Sequence, residues 1–263
     1  MRLIMGIIME RLYNIEELSL RRGEKVILKN LSLSIPSGLV SLIGANGSGK
    51  TTLLRVMAGL ESYSGRVELQ GREVRKFSRK KISRALSFVM SDKRFRPSYA
   101  FTVQEIISMG RLPFLGMFGR MTARDFELVE RAAELLSISH LMSRDIMTLS
   151  DGERQLAFIA AALAQDTEII LLDEPTASLD PDRSAMVFSL LRRLADEGRS
   201  IIAAVHDINV ASVYSDFYVA LRGGGLVFSG GSLNEKNLCE LYGAEFVPYH
   251  NNERNDVMWR VLS

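Results

Sequence analysis

The chain has 263 residues, of which 47% are apolar and 24% charged, and its formal net charge is +2. This length can bury a large core, in one large domain or in two lobes, and the composition is ordinary for a globular protein. The charge is too small to indicate nucleic-acid binding, no apolar run approaches the roughly 20 residues of a membrane span, and the single cysteine, Cys239, excludes an internal disulfide framework.

The first elements in the chain are two runs of alternating apolar residues between residues 15 and 35. The turn signal Arg22-Gly23-Glu24 separates the two runs, and Pro36-Ser37-Gly38 forms a second turn. This pattern predicts an antiparallel pair of strands. Two further strand-like segments follow at residues 65–69 and 85–90.

A glycine-rich segment at residues 44–51 has the spacing G-x-x-x-x-G-K-T, between a buried strand at 39–43 and an apolar-periodic helix that stops at Gly59. Its glycines let backbone N–H groups surround an anion, and the helix adds the positive end of its dipole. Lys50 adds a charge for the β- and γ-phosphates, and the Thr51 hydroxyl can ligate Mg²⁺. The strand pair before this segment could form one wall for an adenine base. We therefore predict that nucleotide is bound by Gly44, Ala45, Asn46, Gly47, Ser48, Gly49, Lys50, Thr51 and Thr52.

Helical patterns replace strand patterns in residues 95–148. Thr102, followed by Glu105, is a capping box that opens a helix, which we expect to end at Gly110. A second helix is expected to begin at Thr122 and to bury one face, formed by Phe126, Val129, Ala133 and Leu136. Residues 95–148 are therefore predicted to be a helical insert in an α/β core.

Another capping box opens a helix at Ser150, with Glu153 three residues later, in the segment Leu149-Ser150-Asp151-Gly152-Glu153. A helix start with a serine cap and Gly152 in its first turn is a suitable place for a phosphate. Ordinary helix capping explains the same residues, and taken alone it is the better explanation.

Two acids, Asp173 and Glu174, follow the apolar run at 169–172. The run predicts a buried parallel strand, and open α/β sheets bind ligands at the carboxyl ends of such strands. Asp173 suits an Mg²⁺ ligand acting through water, and Glu174 could polarise an attacking water as a general base. The alternative is a pair of solvated acids, which the phosphate-binding segment upstream makes less favourable.

The remaining chain adds one candidate site residue and a terminal lobe. Asp180-Pro181 is a helix start, and the strand at 200–205 ends at His206, which could hydrogen-bond a γ-phosphate. A lone histidine is more often structural, so His206 depends on its context. Residues 217–229 are strand-like, and residues 233–263 form a lobe to which we assign no function.

Taken together, these motifs resemble the ATP-binding-cassette (ABC) ATPase family, from about residue 10 to residue 231. The resemblance implies an α/β fold: a P-loop NTPase core with an antiparallel β subdomain and an inserted helical subdomain. The implied ATPase domain, 10–231, comprises a core at 10–92 and 149–231 and a helical subdomain at 93–148, with a C-terminal extension at 232–263 packed on the core. The segment from Thr102 to Pro113 is similar to the ATPase subunits of importers for iron–siderophore, haem and cobalamin complexes.

The family resemblance also implies a mechanism that needs two copies of the chain. Each ATP would lie between one phosphate loop and the signature of the opposite subunit, which is formed by Leu149, Ser150, Asp151, Gly152 and Glu153. Glu174 would be the general base, with Lys50, Mg²⁺ and His206 acting on the phosphates. Thr51 and Asp173 would hold the ion, and Asp180 would link the two sites across the homodimer.

The same resemblance implies partners and a location. The helical insert would contact a transmembrane permease, which works with an extracytoplasmic substrate-binding protein. The ATPase would then be a peripheral protein on the cytoplasmic face of the inner membrane, with no nucleic-acid partner.

Three residues depart from the family pattern. Ser91, followed by Asp92, stands where the family has a glutamine that ligates Mg²⁺. Arg22 stands near the place of the aromatic residue that stacks on adenine, and a guanidinium plane can also stack on a base. Asp151 replaces a glycine of the signature, and its charge leads us to expect that it points away from the phosphate.

Two other functional hypotheses stay open from the sequence. A cassette protein that acts on ribosomes or nucleic acid is one, although such proteins typically carry two cassettes or a long coiled-coil insertion. A binding-only regulatory cassette is the other; Lys50 and Glu174 argue against it, and Ser91 keeps it open.

Overall fold

The computed structural model describes residues 11–90, 99–116, 119–251 and 256–262. The strands of this part of the chain are β1 (Arg11–Arg22), β2 (Lys25–Pro36), β3 (Leu39–Ile43), β4 (Ser64–Leu69), β5 (Arg72–Glu73), β6 (Leu86–Val89), β7 (Ile169–Asp173), β8 (Ser200–Ala204), β9 (Phe217–Arg222), β10 (Gly225–Gly230), β11 (Phe246–Asn251) and β12 (Asp256–Val261). Its α-helices are α1 (Lys50–Met57), α2 (Arg79–Ala85), α3 (Val103–Ser108), α4 (Ala123–Leu135), α5 (Asp151–Ala164), α6 (Pro181–Asp196), α7 (Ile208–Tyr214) and α8 (Glu235–Tyr242). Short 3-10 helices lie at Val74–Lys76, Met109–Phe114, Ser139–Leu141 and Ile146–Thr148.

A six-stranded sheet in the order β10-β9-β3-β8-β7-β6 forms the centre of the molecule. All neighbouring pairs except β10–β9 are parallel. Every residue of β3, β7 and β8 is buried, which explains the uninterrupted apolar runs in the sequence. Because β3, β8 and β7 are adjacent, the segments that follow them meet at one edge of the sheet.

A four-stranded antiparallel sheet, β2-β1-β4-β5, lies before and beside the phosphate loop. Its long hairpin, β1–β2, confirms the predicted strand pair. The buried face of this sheet packs against α1, where the hydroxyl of Tyr13 donates a hydrogen bond to the carbonyl of Met57 at 3.1 Å. The combination of this sheet, the mainly parallel central sheet and the helices is the predicted α/β fold.

The helical insert contains α3 and α4, and both begin with the capping threonines that the sequence indicates. The prediction that the first helix ends at Gly110 is wrong: α3 ends at Ser108, and a 3-10 helix continues to Phe114. Gly110 lies inside this 3-10 helix because the chain approaches α5 there. A Cβ atom on Gly110 would lie 2.0 Å from the carbonyl oxygen of Ala161.

The predicted buried face of α4 is wrong at Phe126, whose surface is 45% exposed. Asp125 is buried instead, because its carboxylate accepts a hydrogen bond from Nε of Arg111 at 2.8 Å. With Asp125 facing the interior, the adjacent Phe126 faces outward. The other predicted residues of that face, Val129, Ala133 and Leu136, are buried.

The C-terminal residues form α8 and the hairpin β11–β12, which share a small apolar cluster. The subdomain boundaries at 93–148 and 232–263 stay predictions. Across the described part of the chain, no helix combines the length and the apolar character needed to cross a bilayer.

Candidate functional site

A cavity of about 390 Å³ opens beside the phosphate loop. The loop and the start of α1 form one wall, and the β1–β2 hairpin forms the facing wall. The complete lining is Arg22, Lys25, Val26, Ile27, Lys29, Asn46, Gly47, Ser48, Gly49, Lys50, Thr51, Thr52, Glu174 and Gly223. The structure therefore brings Arg22 into the same cavity as the predicted phosphate-binding residues.

The start of α1 is built to receive an anion. Gly49 is its N-cap, with φ of 109°, and no side chain caps the helix. The first N–H groups of α1 are therefore left to the cavity, where they carry the positive end of the helix dipole. The buried hydroxyl of Ser48 also has no hydrogen-bond partner among the residues that the structure describes. A phosphate group would supply acceptors for these donors.

Lys50 lies at the mouth of the loop, with its ammonium held by the loop itself. Its Nζ donates to the carbonyl oxygen of Gly44 at 2.7 Å and to that of Ala45 at 3.2 Å. Burial lowers the pKa of Lys50, while the negative charges of Glu174 and Asp173 act in the opposite direction. The lysine therefore connects the phosphate loop electrostatically to the two acids.

The two side chains predicted to hold Mg²⁺ are in direct contact. The Thr51 hydroxyl donates to Oδ1 of Asp173 at 2.9 Å. Burial raises the pKa of Asp173, and the hydrogen bond from Thr51 partly offsets that effect. A hydroxyl and a carboxylate fit Mg²⁺, which prefers oxygen ligands and usually keeps several waters and substrate phosphates. The third predicted metal residue, Ser91, lies outside the described residues, as does Asp92.

Glu174 and His206 meet at the carboxyl ends of the adjacent strands β7 and β8. Oε1 of Glu174 and Nε2 of His206 lie 2.6 Å apart. Glu174 has φ of 50°, an uncommon value for a residue with a side chain, and its N–H donates to the carbonyl oxygen of Ala204 at 3.2 Å. Backbone strain of this kind persists only where the surrounding structure holds it, and it is concentrated at functional sites.

The signature helix α5 has the capping box that the sequence predicts. The Ser150 hydroxyl accepts from the N–H of Glu153 at 3.2 Å, and the Glu153 carboxylate accepts from the N–H of Ser150 at 2.9 Å. The backbone and hydroxyl of Ser150 lower the pKa of Glu153. The capping prediction is therefore confirmed, while the role of Ser150 in binding phosphate stays a prediction.

The neighbours of Ser150 explain two features of the signature. The carboxylate of Asp151 accepts a hydrogen bond from Arg154 on the exposed side of α5. Gly152 is buried against the segment before α6, where a Cβ atom would lie 2.9 Å from the carbonyl oxygen of Ser178. That segment ends at Asp180, which caps α6 by accepting from the N–H of Arg183 at 2.8 Å.

Several residues in the cavity, and one beside it, were not singled out from the sequence. Lys25 and Lys29 lie on the hairpin wall, and Gly223 also lines the cavity. Glu61 accepts from Arg22 at 2.6 Å and from Arg55 at 2.7 Å. Lys25 and Lys29 lie an even number of positions apart on a strand predicted to face adenine, and this alternation could have indicated that they share the cavity face. No sequence pattern indicates Glu61.

Comparison with known proteins gives a family and a set of relatives. A family model described as ABC transporter matches residues 28–177, more than half of the chain. The chain belongs to the ABC transporter family. It is 38% identical to the iron(3+)-hydroxamate import ATP-binding protein FhuC of Bacillus subtilis, covering 83% of this chain and 81% of that protein. It is 37% identical to the ferric enterobactin transport ATP-binding protein FepC of Escherichia coli, covering 82% and 80%.

Solved structures support the same assignment. An inward-facing putative metal-chelate type ABC transporter matches with a TM-score of 0.81 and 25% identity, over 97% of this chain and 98% of that one. A bacterial ABC transporter cassette described as dimeric matches with a TM-score of 0.73 and 25% identity, over 84% and 99%. The ABC chain is accordingly an ATPase, and its predicted resemblance to importer ATPases of the siderophore and cobalamin group is confirmed.

Proposed function

We propose that this ABC ATPase powers the uptake of a metal chelate, such as an iron–siderophore, haem or cobalamin complex, through a separate membrane permease. The printed functions of its relatives support this class of cargo, because they name hydroxamate, enterobactin, petrobactin and cobalamin. The observation that carries the proposed ATP hydrolysis is the presence of two side-chain contacts, Thr51–Asp173 and Glu174–His206, beside the phosphate loop.

In this proposal the chain binds the triphosphate of ATP through the N–H groups of its loop, the start of α1 and the ammonium of Lys50. Thr51 and Asp173 would hold Mg²⁺, which would supply positive charge to the triphosphate. Glu174 orients the attacking water and accepts its proton at Oε1. His206 exchanges its contact with Glu174 for the γ-phosphate, which frees that oxygen, and Lys50 stabilises the departing ADP.

A second copy of the chain completes the site. Among the described residues, the lining of the cavity includes none of the signature residues 149–153, so the chain's own signature does not close its ATP site. A head-to-tail homodimer would place Ser150 and the start of the partner's α5 against the γ-phosphate, and Asp180 at the contact between the two sites. The dimeric description of one structural neighbour supports this arrangement.

The permease would bind at a groove between α2, β6 and the 3-10 helix that follows α3. This groove has a volume of about 600 Å³ and is lined by apolar side chains that include Leu60, Phe88 and Leu112. Leu112 is 61% exposed, and Arg79 and Lys80 lie at the same groove. A permease segment with apolar residues and a carboxylate would match it. Such a contact would hold the chain peripherally at the cytoplasmic face of the membrane, with an extracytoplasmic binding protein as an indirect partner.

The close contact between Glu174 and His206 favours turnover over a binding-only role, and the importer relatives favour a membrane partner over ribosomes or nucleic acid. The deciding experiment for turnover is Glu174→Gln. We expect its steady-state ATPase rate to fall by about 10²–10⁴-fold, since the amide cannot accept the proton from water. Dimers that hold ATP should accumulate and be detectable by size-exclusion chromatography.

The control variant is Glu127→Gln, which removes an exposed carboxylate from α4 and should leave the rate unchanged. A Glu174→Gln protein with the native rate would contradict the assignment of the general base. Purification of the chain with its membrane subunit would test the importer role separately, because a permease of another class, or ribosomes, would contradict it.

A further inference from the structure

The C-terminal residues 234–251 and 256–262 contact the short helix α7, which begins directly after His206 and Asp207. Asn209, in the first turn of α7, forms two hydrogen bonds to the main chain of Trp259 on β12. The N–H of Trp259 donates to Oδ1 of Asn209 at 2.6 Å, and Nδ2 of Asn209 donates to the carbonyl oxygen of Trp259 at 3.3 Å. One amide side chain therefore joins the C-terminal hairpin to the turn that carries His206.

Apolar packing supports this joint. Trp259 is 7% exposed and shares a buried cluster with Leu238 of α8 and Phe246 of β11. Ile208, two residues after His206, packs against the same cluster. Burial of apolar side chains of this size stabilises the contact, so the hairpin and α7 are expected to move as one unit.

The same C-terminal segment also reaches the phosphate loop. The hydroxyl of Tyr242, at the end of α8, is buried and has no hydrogen-bond partner of normal geometry among the described residues. Burial raises its pKa, the nearby backbone of Gly44 lowers it, and the charge of Asp207 raises it. The hydroxyl of Tyr242 is therefore close to the backbone of Gly44, the first glycine of the phosphate loop.

Both ends of α7 pack against the core, and the C-terminal cluster adds a contact at the end next to His206. Asp207 caps the helix by accepting from the N–H of Asn209 at 2.8 Å, which is a contact within the same turn. At the far end, Tyr214 packs on Phe188 of α6 with ring centroids 5.7 Å apart, and its hydroxyl lies 3.2 Å from that of Ser189. The core thus holds the end distant from His206, whereas the near end packs through Ile208 against both the core and the C-terminal cluster.

We propose that residues 234–251 and 256–262 form a C-terminal brace that sets the position of His206 through α7, and that Asn209 is a positioning residue for ATP hydrolysis. The inference rests on the proposed roles of Glu174 and His206. The side chain of His206 must exchange Glu174 for a phosphate, and a small displacement of its turn places it out of reach of either group. The brace limits that displacement, and it responds to the exchange because Asn209 joins it to the turn that carries His206.

The kinetic test compares Asn209→Ala with Arg260→Ala. The first variant removes both hydrogen bonds to Trp259. The second changes the next residue of β12, whose guanidinium lies over the ring of Tyr249, 5.5 Å from its centroid. We expect kcat for ATP hydrolysis to fall roughly tenfold in Asn209→Ala with KM for ATP nearly unchanged, because misplacing a catalytic group lowers the rate more than it weakens binding. Arg260→Ala should behave like the parent protein.

Trp259 provides a second measurement, since it is the single tryptophan of the chain. In a Glu174→Gln background that binds ATP without turnover, adding ATP and Mg²⁺ should shift or quench the emission of Trp259. The response should disappear when Asn209→Ala is added, and it should persist with Arg260→Ala.

Two results would overturn the brace: native kcat in a folded Asn209→Ala protein, or no change in Trp259 emission when ATP binds to the protein with Asn209 intact. The second measurement stays decisive even if Asn209→Ala is unstable. Failure of the proposed function looks different, because Glu174→Gln would then hydrolyse ATP at the native rate. If Glu174→Gln is inactive but Asn209→Ala is fully active, the brace is rejected and the proposed function stands.

Discussion

Arg22 illustrates how one side chain is prepared for a ligand by its neighbours. It is 54% exposed on its side-chain surface, yet its guanidinium is held at 2.6 Å by Glu61, which also accepts from Arg55. Burial raises the pKa of Glu61, but the hydrogen bonds from Arg55 and Arg22 outweigh it and lower the pKa below its usual value. Glu61 therefore stays ionised near neutral pH and orients Arg22 at the rim of the cavity.

We predict that Arg22→Ala raises KM for ATP by about two- to fivefold, the equivalent of the ~0.5–1 kcal/mol of an exposed cation–π contact. Arg22→Tyr should restore the parental KM, since an aromatic ring also stacks on a base. Glu61→Gln should weaken ATP binding in the parent and have no effect in the Arg22→Tyr background. Equal KM values in the parent and Arg22→Ala would show that Arg22 does not contribute to ATP binding. If Glu61→Gln weakens ATP binding in both backgrounds, Glu61 acts through Arg55 and not through Arg22.

Local patterns explain which residue-level features the sequence could predict. The contribution of Lys50, Thr51 and the loop glycines follows from adjacent residues, so spacing was sufficient. The contact between Glu174 and His206 joins residues 32 positions apart. It depends on β7 lying next to β8, and apolar periodicity carries no information about strand order.

At the scale of elements, the start of a helix is determined by residues close in sequence, whereas its buried face depends on residues farther along the chain. The caps at Thr102, Thr122 and Ser150 involve residues three positions apart, and all three are present in the structure. The buried face of α4 depends on Arg111, 14 residues before Asp125. Apolar periodicity alone therefore placed Phe126 inward and missed a buried ion pair.

That ion pair gives a prediction about the stability of the insert. Asp125 accepts from the N–H of Thr122 at 2.9 Å, from its hydroxyl at 2.7 Å and from Arg111 at 2.8 Å. These hydrogen bonds, with the backbone one acting most strongly, lower the pKa of Asp125 to about 2. We predict that Asp125→Asn lowers the free energy of unfolding at pH 7 by ~3 kcal/mol, because it leaves Arg111 buried without a counter-charge.

The pH dependence follows from the direction of that shift. A carboxyl in the unfolded chain has a pKa of about 3.9, so the stabilisation is complete above that value and is lost as pH falls toward 2. In urea unfolding, the difference between the parent and Asp125→Asn should be constant from pH 7 to pH 5 and should narrow below pH 4. Glu127→Gln, on the exposed side of the same helix, should change little. An Asp125→Asn protein as stable as the parent at pH 7 would contradict this account.

At the scale of the whole molecule, the central sheet gathers the phosphate loop, the two acids and His206 at one edge, while α5 presents its capped start elsewhere. The sequence indicated each motif, and the family resemblance supplied the two-copy arrangement that makes use of the signature. The periodicity of apolar residues could not predict non-local strand pairing, such as the order β10-β9-β3-β8-β7-β6. The contact of the C-terminal residues with α7 was likewise invisible, because Asn209 and Trp259 are 50 positions apart.

A mixing experiment tests the two-copy site directly. Lys50→Ala should disable a copy's phosphate loop but leave its signature intact, and Ser150→Arg should do the reverse; each variant alone should be nearly inactive. In an equimolar mixture about half of the dimers are mixed, and each mixed dimer contains one complete site, formed by the loop of the Ser150→Arg copy and the signature of the Lys50→Ala copy. We predict that the mixture recovers up to about one quarter of the parental ATPase rate, because one of two sites works in one of two dimers. Full activity of Ser150→Arg alone, or no recovery from two variants with native circular dichroism spectra, would mean that each chain hydrolyses ATP without the signature of a partner.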